Sequence, residues 1–294
     1  MSQPPSAPQI GSYRVLRLLG RGGTGTVHAA EHVTSGRRVA LKVLHDELSR
    51  SRQMVARFFH EARSAARVDD PGIVEVLESG YADDGSAFIA MELLEGESLA
   101  ARIARGPRLA PSSIVYVGCE IARVVHAAHA QQIVHRDLKP DNIFLVPEPG
   151  QPHDTRVKVL DFGMAKLSPE GGPYSFVTEK GALLGTPMYM APEQCRGGDV
   201  DGRADVYALG CILYELACGQ PPFVRGGMGM ILGAHVYQPV PPPRLLAPDV
   251  PEALERVLLR ALEKSRDARY PTMQALAQEL GAVGADHGQA RASR

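Results

Sequence analysis

Asp137, Lys139, Asn142 and Asp161 are residue types that can move a phosphoryl group, and the chain between them is patterned to bring them together. The first three lie in His135-Arg136-Asp137-Leu138-Lys139-Pro140-Asp141-Asn142, which runs into the apolar stretch Ile143-Phe144-Leu145-Val146. After a polar turn, Val157-Lys158-Val159-Leu160 leads to Asp161-Phe162-Gly163. Two short strands joined by a turn set the loop before the first strand beside the loop after the second. Asn142 and Asp161 then offer hard oxygen ligands for Mg²⁺, and Lys139 offers positive charge to a migrating phosphoryl group. Asp137 can accept the proton of an attacking hydroxyl. His135 could be read as a second base.

The eight-residue run, followed at this distance by Asp161-Phe162-Gly163, closely resembles the catalytic-loop and D-F-G signatures of the protein kinase superfamily. The resemblance implies that Asp137 is the catalytic base, with Lys139 beside it, and that Asn142 and Asp161 hold Mg²⁺, with Mn²⁺ as the alternative ion. It also implies that His135 packs beneath the D-F-G segment in a structural role.

Upstream, Val15-Leu16-Arg17-Leu18-Leu19 reads as a strand that enters Gly20-Arg21-Gly22-Gly23-Thr24-Gly25-Thr26-Val27. Dinucleotide-binding folds use G-x-G-x-x-G too, but there a helix follows. Here Thr26–Ala30 and Arg38–Val43 read as two more strands around Thr34-Ser35-Gly36, so the motif is a glycine-rich hairpin whose backbone can approach phosphates. Period-two alternation puts Ala40 and Lys42 on one face of their strand and Val39, Leu41 and Val43 on the other. Ala40 is small enough to admit an adenine ring, and Lys42 can reach the α- and β-phosphates. The pattern departs from the family at His28, where Tyr is usual, and carries Thr24 at the loop tip.

From Gln53 to Arg67 the pattern is helical, and Glu61 shares the largely apolar face of Phe58, Ala62 and Ala65. By resemblance Glu61 is the helix carboxylate that pairs with Lys42. Ile73–Leu77 and Ala87–Met91 read as strands, the second entering Glu92-Leu93-Leu94, which resembles the hinge between kinase lobes. The nucleotide site implied by the resemblance comprises Leu19, Gly20, Gly22, Gly25, Val27, Ala40, Lys42, Met91, Glu92 and Leu94, with backbone groups of the hinge on adenine and Met91 guarding the back of the pocket.

A helical pattern covers Ile114–Ala130, and its His126-x-x-His129 spacing lacks a third metal ligand. Gly185-Thr186-Pro187 and Met190-Ala191-Pro192-Glu193 close what resembles an activation segment, Lys139 with Gly185-Thr186-Pro187 resembles the serine/threonine kinases, and Gly20-Arg21-Gly22-Gly23 with Ala191-Pro192-Glu193-Gln194 resembles the eukaryotic-type kinases of bacteria. Asp205–Ala217 is apolar on nearly every face, as in a helix at the centre of a lobe. Asp205 resembles the buried Asp that holds the catalytic loop, and Arg269 the partner of Glu193. Arg136 has no acidic partner in its motif and is a candidate dock for a phosphate on the activation segment, with Thr178 first and Ser175 second as acceptor sites.

Composition bounds the rest. A net charge of −1 gives no reason to expect nucleic acid as partner, and 44% hydrophobic residues in 294 can build two lobes. Four cysteines without a C-x-x-C pair suggest reduced thiols and a cytoplasmic location. No apolar run is long enough to span a membrane. The expectation is an α+β, two-lobed protein kinase fold, a small antiparallel sheet lobe plus a mainly helical lobe. Its parts are a flexible leader at 1–10, the N-lobe and hinge at 11–94, the C-lobe at 95–280, and a flexible tail or linker start at 281–294. The resemblance implies transfer of the ATP γ-phosphoryl group to Ser or Thr of protein substrates, autophosphorylation of the activation segment, and a homodimer as one route to it in trans. Two rivals are a pseudokinase scaffold, which would lack one of Lys42, Asp137, Asn142 or Asp161, and a small-molecule phosphotransferase, which would lack Ala191-Pro192-Glu193 and Arg269.

Overall fold

The computed structural model describes residues 8–106, 108–162 and 187–292. The chain divides into two compact units, one running to Arg67 and resuming at Val74–Glu95, the other made of Val68–Ile73 and everything from Gly96 onward.

In the first unit the strands are β1 (Gln9–Ile10), β2 (Tyr13–Arg21), β3 (Gly25–His32) and β4 (Arg38–Leu44). The helices α1 (Asp46–Ser49) and α2 (Arg52–Ala66) follow, then β5 (Val76–Tyr81) and β6 (Ala87–Glu92). The six strands form one antiparallel sheet in the order β1-β2-β3-β4-β6-β5. Alternation along β4 decides its two cores. Val39 and Leu41 turn to the face of Tyr13, Ala30, Phe88 and Ala90, whereas Leu44 joins Ile89 and Ala87 beneath Val55, Phe58 and Ala62 of α2. Ser51 starts α2 by accepting a hydrogen bond from the Met54 N–H at 3.4 Å, and the buried positions Val55, Phe58, Glu61, Ala62 and Ala65 follow at helical spacing.

The second unit opens with β7 (Glu97–Ser98), α3 (Leu99–Arg105) and α4 (Pro111–Ala130), then β8 (Ile143–Pro147) and β9 (Thr155–Val159). The remaining helices are α5 (Pro192–Cys195), α6 (Arg203–Cys218), α7 (Met228–Tyr237), α8 (Pro243–Leu246), α9 (Glu252–Ala261) and α10 (Met273–Ala292). Helix α6 is buried on almost every face and ends at Gly219, whose φ of 80° is open to glycine without strain. Among the described residues no helix is long and apolar enough to cross a membrane. None of the four cysteines is in a disulfide.

Three elements differ from the sequence reading. The strand expected from Ile73 begins at Val76, because Gly72 and Ile73 are held in the second unit. There the Gly72 carbonyl accepts from the Val159 N–H at 2.7 Å, and a Cβ at Gly72 would lie 2.1 Å from Val124. The last helix does not stop at Leu280. The stretch from Gly281 is alanine-rich, and Val283 is buried, so the helix continues through three glycines to Ala292. Helix α7 lies in an uncharged stretch that gave no helical signal, since it has no polar face to set a period. Residues expected to form a flexible leader also contribute, through β1.

Candidate active site

In the first unit the glycine-rich hairpin links β2 to β3, closed by the Gly22 N–H donating to the Gly25 carbonyl at 2.8 Å. Its glycines are not equivalent. A Cβ on Gly25 would stand 2.1 Å from the Val43 carbonyl oxygen, so Gly25 is required by the close approach of β4. A Cβ on Gly20 would meet nothing within 4 Å, and one on Gly22 only the Gly25 oxygen at 3.9 Å. Their bare backbone therefore serves no packing within the unit, which fits a cradle for phosphates.

Lys42 projects from the centre of β4, flanked across the sheet by Val27 and Ile89, and Ala40 lies between Ala29 and Met91. These residues share the face that α2 covers. Lys42 Nζ donates to Glu61 Oε1 at 2.7 Å, and the two side chains are 9% and 6% exposed. The pair is thus desolvated and holds helix to strand. Leu19 lies exposed on β2, while Met91, Glu92 and Leu94 are half-buried. The Glu92 carboxylate accepts from the Glu75 N–H at 2.8 Å, so its side chain is engaged in tying β6 to the start of β5.

In the second unit β8 and β9 form the expected hairpin, with Ile143 opposite Val159 and the Leu160 N–H donating to the Asn142 carbonyl at 2.8 Å. This sets Asn142 and Asp161 at one end of the hairpin. The preceding loop is pinned from below. His135 and Leu138 are buried, and Asp205, itself 0% exposed, accepts from the His135 and Arg136 N–H groups, both at 2.8 Å. The His129 ring nitrogen Nε2 reaches the same carboxylate at 2.7 Å, so His129 braces the loop. Arg136 takes φ = 63° and Asp161 φ = 58°, left-handed conformations that cost a non-glycine residue about 1 kcal/mol or more and persist where neighbours over-determine them.

His135 fills a structural place. Its Nε2–H donates to the Leu160 carbonyl at 2.9 Å, Nδ1 accepts from the Asp137 N–H at 3.3 Å, and the ring packs 4.9 Å from Phe162. Both nitrogens are used by groups that fix the tautomer, which leaves no base for substrate.

Asp137 points outward, half-buried. Lys139 Nζ donates to its Oδ2 at 2.7 Å, and Asn142 Nδ2 donates to the Asp137 carbonyl at 2.8 Å and lies 3.4 Å from Oδ2. With its nitrogen committed to Asp137, the Asn142 amide keeps its oxygen as the end that can ligate a cation. Together with the Asp161 carboxylate this is a hard-oxygen donor set, which suits a divalent ion of the Mg²⁺ type.

Two further contacts carried no sequence signal. Gln194 Nε2 donates to the Arg136 carbonyl at 2.8 Å while its Oε1 accepts from the Ala191 N–H at 3.0 Å, coupling α5 to the loop that carries Asp137. The Tyr189 hydroxyl donates to Glu215 at 2.7 Å, and burial raises the Glu215 carboxyl above the usual range. Arg269, 2% exposed, binds Glu193 through two nitrogens, both at 2.8 Å, as the sequence suggested. Thr178, Ser175 and Gly163 lie outside the described residues.

Known proteins resemble this chain in sequence and in fold. Curated relatives include the serine/threonine-protein kinase Pkn1 of Myxococcus xanthus, 45% identical over 95% of this chain and 39% of its own length. The DNA damage-responsive serine/threonine-protein kinase RqkA of Deinococcus radiodurans is 42% identical over 94% of this chain and 40% of its own. The chain therefore spans about two fifths of the length of these two relatives. Among solved structures, the Mycobacterium tuberculosis PknI kinase domain superposes with a TM-score of 0.71 at 29% identity, covering 95% of this chain and 99% of that one. The protein kinase domain family matches residues 13–280. With that match taking in nearly all of the sequence, the chain belongs to the protein kinase domain family.

Proposed function

We propose that the chain transfers the γ-phosphoryl group of ATP to serine and threonine hydroxyls of protein substrates. The observation that carries this reading is the Asp137 carboxylate, held by Lys139 and steadied by Asn142 at the hairpin end that also bears Asp161. Asp137 accepts the proton of the substrate hydroxyl, and Lys139 offers positive charge to the transferring group. Lys42, oriented by Glu61, binds the α- and β-phosphates, while Gly20 and Gly22 let their backbone approach them. Leu19, Val27, Ala40 and Met91 provide apolar walls for adenine, with the Glu92–Leu94 backbone as its hydrogen-bonding edge. Asn142 and Asp161 would hold Mg²⁺, or Mn²⁺ as the alternative, and the ion when bound neutralises charge on the phosphates.

The same reading assigns 11–94 to the nucleotide-binding lobe and 95–280 to the substrate lobe. It places the protein among reduced thiols in the cytoplasm, with proteins as partners and no nucleic acid. It also includes control by autophosphorylation, at Thr178 first and Ser175 second, in trans within a homodimer. Arg136 supports this part, since its buried Nε has no hydrogen-bond partner among the described residues and stands next to Asp137 in sequence. A phosphate would supply acceptor oxygens in bidentate geometry.

The test is incubation with Mg²⁺ and ATP followed by intact mass and phosphosite mapping. Mass gain with sites in the segment between Asp161 and Ala191 is expected, and no transfer to self or to casein would sink the reading. For the switch, initial rates of Thr178→Ala and Arg136→Ala should fall several-fold below untreated wild type. Equal rates would remove the switch at Thr178.

A further inference from the structure

Beneath the short turn Pro187–Tyr189, α7 carries a histidine that the proposed reaction does not use. His235 is 0% exposed, and its Nδ1 lies 2.9 Å from the Tyr207 hydroxyl of α6. The ring meets Phe223 at 5.1 Å and Tyr207 at 5.6 Å, edge to face in both cases. Its Nε2 is also buried yet has no hydrogen-bond partner among the described residues. An unpaired polar atom in such a place is costly and needs a reason.

The groups that face the ring give one. Lys264 lies 4.4 Å from the centre of the Phe223 ring and donates to the Ala234 carbonyl at 3.3 Å. Burial, then the Lys264 charge, push the His235 pKa down to about 4, so the ring is neutral near pH 7. The Met188 backbone acts in the opposite sense and favours the protonated ring, as a carbonyl oxygen does. With Nδ1 accepting from the Tyr207 hydroxyl, the neutral ring carries its one proton on Nε2, and α7 packs against the Pro187–Tyr189 turn. Burial raises the Tyr207 hydroxyl well above its ordinary range and keeps it a donor.

We propose that His235 is a positioning residue for the protein substrate, whose Nε2–H takes hold of the Met188 backbone carbonyl and so fixes the Pro187–Tyr189 turn. A small movement of the turn completes the bond. From the turn the coupling runs a short distance, because Ala191 N–H is held by Gln194, and Gln194 also holds the Arg136 carbonyl beside Asp137. This inference rests on the kinase reading above and adds the residue that sets its substrate platform.

The test uses His235→Phe, which removes the donor, and His235→Gln, which restores an amide N–H near the Nε2 position. With Mg²⁺, ATP and casein as phosphoacceptor, the loss of one buried donor should raise the KM for casein roughly tenfold in the Phe variant. The KM for ATP should stay within about twofold, and the Gln variant within about threefold of wild type for casein. Amide hydrogen exchange at residues 188–191 should be faster in the Phe variant and close to wild type in the Gln variant, a readout that needs no turnover. Wild-type exchange in the Phe variant, equal rises of both KM values, or a Gln variant as impaired as Phe would each overturn the proposal. If wild type transfers no phosphate, the kinase reading fails, and exchange still decides whether His235 holds the turn.

Discussion

Replacing Asp205 by Asn removes one charge and one acceptor from the group on which the catalytic loop hangs. The carboxylate receives three hydrogen bonds, Oδ2 from the His135 N–H at 2.8 Å and His129 Nε2 at 2.7 Å, and Oδ1 from the Arg136 N–H at 2.8 Å. Asn has one acceptor oxygen, so in either orientation its NH₂ group confronts a donor. The better orientation keeps the two bonds at the Oδ2 position and orphans the Arg136 N–H. A buried orphan costs about 1–3 kcal/mol, and two charge-assisted bonds reduced to neutral ones lose about 1 kcal/mol each. Relief from burying a charge returns part of this, leaving a net loss of about 2–4 kcal/mol. The orphaned bond is also the one that holds Arg136 at φ = 63°, so the loop is free to relax toward an ordinary conformation and carry Asp137 with it. The chain has no tryptophan, so urea unfolding is best followed by far-UV circular dichroism, alongside kcat with casein. A lower midpoint and a fall in kcat of at least tenfold are expected. An Asn variant that unfolds at the wild-type midpoint with kcat within twofold would refute the argument that this carboxylate holds the loop.

Asp137→Asn should lower turnover by about 10²-fold or more while nucleotide affinity stays within threefold, since Asn keeps the shape but cannot take the proton; unchanged turnover removes Asp137 from the mechanism. Lys42→Met takes the ammonium away from the buried Glu61 carboxylate and should cost about 3–5 kcal/mol of stability along with activity. Adding Glu61→Leu should recover much of the stability but no activity, and a Lys42→Met variant as stable as wild type would show that the pair is not desolvated. His235 makes stability fall on the acid side. Its folded pKa of about 4 lies below the unfolded value near 6.5, so the unfolded chain takes the proton first as pH drops from 6.5 to 4. The loss is at most about 3 kcal/mol across that window, and it should vanish from the difference between wild type and His235→Phe above pH 6.5. A difference that does not change with pH would contradict it.

The catalytic loop was legible because its residues are chemically specific and closely spaced, and because hairpin geometry forces Asn142 and Asp161 to one end. Lys42 could be placed on the correct face of β4 by alternation alone, and Glu61 by the helical period of α2. What sequence could not show was long-range coupling without a local pattern. Gln194 reads as an ordinary helical glutamine, and only the fold brings it to the Arg136 carbonyl. Gly25 belongs to the glycine motif yet answers to the backbone of β4, a distinction that periodicity cannot draw. The stretch after Leu280 reads as helix-poor because glycine propensity does not register the packing of Val283 and Gly284, whose Cβ position lies 3.3 Å from Val115 on α4.

The allocation of Val68–Ile73 to the second unit bears on how the chain can be made and cut. Gly72 and Ile73 join Val159, and Asp70 receives both the Gly72 N–H and the guanidinium of Arg123 at 2.7 Å and 2.6 Å. All of those partners except Gly72 leave the ribosome long after the sheet of the first unit has been synthesised. During translation this short segment has no partner from the rest of the second unit until Arg123 and then β9 have been made. A fragment ending at Glu95 would keep it waiting permanently, so no single cut separates the two units cleanly, and an excised first unit should be made with residues 68–73 replaced by a polar, glycine-rich bridge.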